Sequence, residues 1–290
     1  MHKIKRAFTM IELIFVIVII GILSKFGVEF LAQAYNSFIF SSINNSLQSR
    51  SASAIEIIGS RLQFRIKDSV IARKTTAPAS FQAIGGSTLG DDATVLEWVG
   101  VDIDGLRGDT GSLWSGIVDI QDSNATSLDV VDMNRTALNT LITTLSPGGN
   151  DLNNSALYFI GSDSNFNGYG WNAAAAFINQ NNVMHPVVSA VNNNFAPTVG
   201  SFNGVDVYEY FQLAWTAYAV ELNPATGDLT LWYDYQPWEG EAYNTGTGRL
   251  LMEDVDTFRF KSVGSVMKIQ ICVNSDVIDD YSLCKEKTIY

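Results

Sequence analysis

The residues that could do chemistry in this 290-residue chain fall into a few small groups. One is Glu12, a lone carboxylate at the start of an apolar run that extends to Leu23, just behind the basic residues Lys3, Lys5 and Arg6. A charge at the centre of a bilayer helix costs roughly 2.5–3.5 kcal/mol, so this carboxylate needs a partner. A second group is Cys272 and Cys284, the only cysteines, an even pair. They could form a disulfide or ligate a metal. Four-ligand zinc sites need more donors, however, and His185 is the one histidine besides His2. A third group, Asp163-Ser164-Asn165-Phe166-Asn167-Gly168, has the spacing of the first half of a calcium loop, with Asp163, Asn165 and Asn167 as oxygen donors. The bidentate Glu that such a loop uses at its twelfth position is replaced by Ala174. Asp102 and Asp104 before Gly105 are a weaker candidate of the same kind. His185 precedes Pro186 in a polar stretch with no evident Ser or Asp partner, and neither a Gly-rich phosphate loop nor HExxH occurs. These residues predict no catalytic activity and no cofactor, with calcium the one ligand candidate.

Composition points the same way. Charged residues make up 17% of the chain and the net charge is −12. Without Lys3, Lys5 and Arg6, 15 basic residues face 30 acidic ones, a charge of −15. So acidic a surface argues against direct nucleic-acid binding. The asymmetry also predicts a topology with the basic end cytoplasmic and the acidic bulk outside.

The elements that must position these residues can be read from periodicity. Residues 8–68 contain no proline. Phe40, Ile43, Leu47, Ala54, Ile58 and Leu62 fall on one helical stripe beyond the apolar run. One helix of about 60 residues is predicted, with a weak spot at residues 41–46, which are poor in helix formers. Strands are predicted over residues 94–99, 114–120, 128–131, 156–160, 208–222, 229–235 and 265–273, with a short helix over 136–145. The Asn- and Gly-rich residues 161–204 read as a long exposed loop with a helical turn near 173–178. Residues 102–105 read as a turn.

A secretory signal peptide also joins a basic segment to a short apolar core. Ala32-Gln33-Ala34 offers a small-x-small site, but Lys25 and Glu29 lie in the approach to it and Glu12 is left unexplained. A plain anchor is the other alternative. Residues 8–23 span roughly 24 Å as a helix, short of the ~30 Å hydrocarbon core.

Lys5-Arg6-Ala7 followed by Phe8-Thr9-Met10-Ile11-Glu12 and the apolar run resembles the leader and first helix of type IV pilins and type II secretion pseudopilins. The resemblance implies cleavage by a prepilin peptidase between Ala7 and Phe8, although the family usually has Gly where Ala7 stands. It also implies N-methylation of Phe8, and pairing of Glu12 with a neighbouring subunit's amino terminus during assembly. The implied organisation is a leader (1–7), an apolar half-helix in the membrane and later the filament core (8–31), an amphipathic half-helix (32–74) and a β-rich head (75–290). The implied fold class is α+β, with a long N-terminal helix packed on a C-terminal antiparallel β domain. Leu250, Leu251, Val255, Phe258 and Phe260 before a last strand resemble the large minor pseudopilins of the J type and W-type minor pilins. Type IV pilins often staple the C-terminal region, which implies a Cys272–Cys284 disulfide, and some minor pseudopilins bind calcium. The role implied is a minor pilin or pseudopilin at the tip or as an assembly primer. A tip adhesion module and a competence pseudopilin are the alternatives. The partners would be the peptidase, other subunits and the inner-membrane assembly platform. The location would be a bacterial inner membrane, single-pass, with the head in the periplasm before transfer to the filament.

Overall fold

A computed structural model describes residues 9–162, 165–172, 180–190, 194–275, 277–278 and 281–290. The fold is α+β, with a long N-terminal helix followed by antiparallel sheets. Helix α1 spans Met10–Leu62, 53 residues or about 80 Å, a little shorter than predicted. It runs unbroken through residues 41–46. Tertiary contacts outweigh weak propensity there: Ile43 packs on the core, Leu47 is buried, and Tyr281 Oη donates to Asn44 Oδ1 at 3.1 Å. The helix stops because the chain turns to pair with the next element. Val101 N donates to Phe64 O and Ile66 N to Val99 O, both at 2.9 Å. The Arg65 guanidinium takes the Leu62 carbonyl at 2.8 Å.

The first sheet has the order β12-β11-β10-β3-β1-β2. Its strands are β1 (Ile71–Lys74), β2 (Ser80–Ala83), β3 (Val95–Val99), β10 (Ala217–Asn223), β11 (Asp228–Tyr235) and β12 (Thr247–Met252). All five residues of β3 are buried because both faces of this sheet are covered. Leu96 and Trp98 face α1 and a second sheet of β13 (Val255–Val263), β14 (Val266–Asn274) and β15 (Ser282–Ile289). Ile55, Ile58 and Leu62 of α1 complete that core. The opposite face carries Val95 and Val99 against Tyr169, Trp171, Trp238 and Tyr243.

In β11 the predicted alternation holds for Leu229 and Leu231, then breaks at Asp234, whose φ is 65°. A bulge there shifts the pairing from Tyr218↔Tyr233 to Ala217↔Tyr235, so Tyr235 turns to the opposite core from Leu231.

The third sheet has the order β4-β5-β8-β7-β6-β9, from β4 (Val118–Asn124), β5 (Ser127–Val130), β6 (Ala156–Phe159), β7 (Met184–Ser189), β8 (Asn194–Pro197) and β9 (Phe211–Ala214). It closes on itself. Ile117 bridges Tyr210, Val118 N donates to Glu209 O at 2.8 Å and Phe211 N to Gly116 O at 2.9 Å. The result is a small barrel filled by Trp114, Phe159, Phe195, Phe211 and Leu213, with Leu138 and Ile142 of α3 (Arg135–Leu145) joining its core.

Several expectations need correction. Residues 208–222 are not one strand: β9 belongs to the barrel and β10 to the first sheet, with Trp215 and Thr216 between them. Both junction residues are tied down, since Gly100 N donates to Thr216 O at 3.2 Å and Gln236 Nε2 to Trp215 O at 2.8 Å. Residues 161–204 are not a long loop. They supply β7 and β8 and the buried Tyr169, Trp171, Phe195 and Phe202, because scattered apolar residues suffice for short strands inside a barrel. The expected turn near 173–178 falls outside the described residues. Residues 103–107 form a one-turn helix, α2 (Ile103–Arg107), rather than a simple turn, capped by Asp102. Finally, 265–273 is not the last strand, since β15 follows and packs on α1.

Candidate functional site

The best-defined site begins at the start of α1. Thr9 is the N-cap, extended at φ −74° and ψ 152°. Its Oγ1 accepts from Glu12 N at 3.4 Å, while Glu12 Oε2 accepts from Thr9 N at 3.1 Å and Thr9 Oγ1 at 3.0 Å. This reciprocal arrangement is a capping box. A carboxylate in the first turn also meets the positive end of the helix dipole. Thr9 was not among the predicted site residues, although Thr-x-x-Glu before an apolar run is a legible signal for it. Ala7 and Phe8 lie outside the described residues.

Beyond Glu12 the helix is bare. Every residue from 9 to 38 is exposed, and the described residues contain one helix long and apolar enough to cross a membrane. Such a surface is stable only when covered by lipid or by other helices.

The second half of the helix is gripped by the sheet that contains the cysteines. Lys287 Nζ of β15 lies 2.5 Å from Glu56 Oε2, and Phe40 packs on Tyr281 with ring centroids 5.1 Å apart. Arg50 lies 3.9–4.0 Å from Glu253 and Asp254. Cys272 and Cys284 stand directly opposite each other on β14 and β15, Cα atoms 4.0 Å apart and sulfurs 2.07 Å apart, at disulfide distance. The cysteines therefore stand on two neighbouring strands.

Of the remaining candidates, Asn165, Asn167, Asp102 and His185 lie among the described residues. Asp163 lies outside the described residues. Asn165 Oδ1 accepts from Asn167 N at 3.1 Å, as the cap of a turn. Asp102 is occupied: Oδ1 accepts from Gly105 N at 3.1 Å and Oδ2 from the Trp114 indole at 2.9 Å. Burial pushes its carboxyl up to about 6, against the pull of those two donors. Among the described residues, no cluster of three or more His, Cys, Asp or Glu is placed to hold a metal ion. His185 is not in a loop but buried on β7 against Phe159, and burial lowers its imidazole to about 4.

One further buried charge lies in the core on the face of the first sheet away from α1. Glu97 on β3 pairs with Arg73 Nε at 2.6 Å and accepts from Tyr235 Oη at 3.3 Å, while Arg73 also donates to Trp171 O at 3.1 Å. Burial raises the Glu97 carboxyl, opposed by Arg73. A fully buried Glu in a strand of β-formers carried no sequence signal that distinguished it from a solvent-facing residue.

Comparison with known families bears on the first turn of α1. Residues 2–24 match the prokaryotic N-terminal methylation motif. The chain carries a prepilin-type N-terminus. No curated protein and no solved structure matches it significantly. The prepilin-type motif is consistent with the type IV pilin and pseudopilin superfamily and with processing by a prepilin peptidase. The apolar helix behind it is consistent with single-pass membrane topology. Pilins and pseudopilins are typically non-catalytic. The motif ends at residue 24, so the head, from β1 onward, lies outside the match.

Proposed function

We propose that this chain is a minor subunit of a type IV pilus or type II secretion pseudopilus, cut between Ala7 and Phe8 and assembled through its N-terminal helix. The observation that carries this reading is Glu12. It sits in the first turn of an exposed apolar helix that continues without a break into a helix clamped by an acidic head. In the lone chain its carboxylate is served by Thr9. On assembly it exchanges those donors for the amino terminus of Phe8 in a neighbour. A buried ion pair is tolerable where either charge alone in an apolar surround is costly. The helix moves from bilayer to filament core, which covers the same apolar surface by other means. Before that transfer the head is periplasmic and the basic N-terminus cytoplasmic, in accord with the charge asymmetry.

A large two-lobed head, with a barrel beyond the sheet that meets α1, favours a tip or priming position over a repeated shaft position. Glu12→Val tests the reading. The variant should insert in the membrane at wild-type levels yet fail to enter sheared filaments. Normal incorporation would refute the pairing role.

A further inference from the structure

Four residues form one lateral row on the outside of the barrel, across the seam where it closes. Val118, Val130, Phe159 and Phe211 fill the barrel core, so their chain neighbours Ile117, Val131, Ile160 and Tyr210 face outward. The pairings Val118↔Val130 and Phe159↔Phe211 place Ile117 beside Val131 and Ile160 beside Tyr210, and Ile117 bridges Tyr210. Val131 N donates to Ile117 O at 3.1 Å and Ile160 N to Tyr210 O at 2.8 Å, in keeping with that register. Tyr210 is 53%, Ile160 50% and Val131 37% exposed. Three strand spacings make the row roughly 14 Å long.

Beside this apolar row, Asp119 and Asp129 stand directly opposite each other on β4 and β5. Each lies two residues from the row, at Ile117 and Val131, and so shares its outward face. Like charges in directly opposed positions destabilise a sheet. Neither carboxylate has an ion-pair partner among the described residues. The segments that build this wall, residues 117–132, 156–162 and 205–214, contain no Lys or Arg, and neither do residues 163–164 and 173–179. Arg135, the first basic residue after Val131, donates to Ala190 O instead.

An apolar row with an unneutralised carboxylate pair along one side selects its occupant by charge. A second copy presenting the same face is repelled, as are nucleic acid and anionic lipid. A metal ion finds no cluster of three or more His, Cys, Asp or Glu among the described residues. We propose that this face of the barrel docks a basic amphipathic segment of another protein, its aliphatic side chains on the Tyr210 row and its Lys or Arg side chains on Asp119 and Asp129. The partner's cation relieves the repulsion between the two carboxylates, so a pair that weakens the free sheet strengthens the complex.

The test is isothermal titration of the full chain in a nonionic detergent, with detergent alone as the blank. The probe is a capped peptide of alternating Val and Lys, with a Val-Glu counterpart as control. The Val-Lys peptide should bind and the Val-Glu peptide should not. Asp129→Asn should weaken binding at least about fivefold. The same variant should raise the thermal midpoint of the free protein, because it removes a like-charge pair. Tyr210→Ser, at an exposed position, should weaken binding about tenfold. Asp256→Asn, an equal charge change on the other lobe, should leave affinity unchanged. The proposal is overturned by no binding above the blank, by equal binding of the Val-Glu peptide, by wild-type affinity in Asp129→Asn or Tyr210→Ser, or by an equal loss in Asp256→Asn. Self-association of the full chain that Tyr210→Ser abolishes would assign the row to a second copy and overturn it too. None of these results bears on assembly through Glu12.

Discussion

Thr9 and Glu12 cap each other at the start of α1, the carboxylate taking both the backbone N–H and the hydroxyl of the threonine. The carboxylate that the assembly reading assigns to a neighbour is thus satisfied within its own chain beforehand. Thr9→Val should remove the cap and cost the first turn about 1 kcal/mol. Amide exchange at Glu12 and Leu13, whose N–H groups bond to Thr9, should then quicken about fivefold in bicelles. Thr9→Ser should behave as wild type.

Reduction of the Cys272–Cys284 pair is expected to destabilise the head by about 3 kcal/mol in the chain-entropy model. The effect should reach the helix, because β15 carries Lys287 and follows Tyr281, both of which touch α1. Urea unfolding with and without reductant measures the first effect. Exchange of amides near Glu56 measures the second.

Asp102 and His185 give opposing pH dependences. The Asp102 carboxyl lies at about 6 in the fold against an ordinary 3.8, so the folded state binds the extra proton. Its contribution to stability grows as pH falls from 6 to 4, by up to about 3 kcal/mol. The His185 imidazole lies at about 4 against an ordinary 6.5, so the unfolded state binds the extra proton. Its contribution is lost as pH falls through the same window, again by up to about 3 kcal/mol. The two largely offset each other in the wild-type chain. Asp102→Asn should expose the loss, with thermal midpoints falling more steeply between pH 7 and 4 than in wild type.

Asp234 holds the bulge between the two lobes. Its carboxylate accepts from Gly148 N at 2.6 Å and Asn150 Nδ2 at 3.0 Å, and its own N–H donates to Thr216 Oγ1 at 2.7 Å. Asp234→Ala should cost about 2–3 kcal/mol, by stranding both donors and leaving an alanine at positive φ. Asp234→Asn should cost less, since Asn tolerates that conformation and keeps one acceptor. Chemical denaturation of the three proteins ranks them.

The parts of this molecule that were legible in sequence are those fixed by local pattern. The long helix follows from the apolar stripe through Leu47, Ile58 and Leu62 and the lack of proline. The hairpin of β10 and β11 follows from alternation around the turn at residues 223–228. What was not legible depended on tertiary context. Nothing local in residues 208–222 marks Trp215 and Thr216 as the crossing between two sheets, because both halves have the same strand character. Residues 161–204 read as loop because polar residues dominate them, yet Val187 and Phe195 are enough to anchor short strands in the barrel, while Tyr169 and Trp171 pack on the first sheet. Strand β15 was missed because Lys285, Glu286 and Lys287 interrupt its apolar pattern; Lys287 is turned to an ion pair with the helix. At the N-terminus the basic residues, Phe8 and Glu12 were readable as a motif. The Thr9–Glu12 cap was readable too, but only once Thr-x-x-Glu is taken as a helix start.

The most direct measurement is mass spectrometry of the N-terminal peptide of the mature protein from its native membrane. The account predicts a chain beginning with N-methylated Phe8. A chain that keeps Met1, or one that begins at Tyr35 after cleavage behind Ala32-Gln33-Ala34, would contradict it.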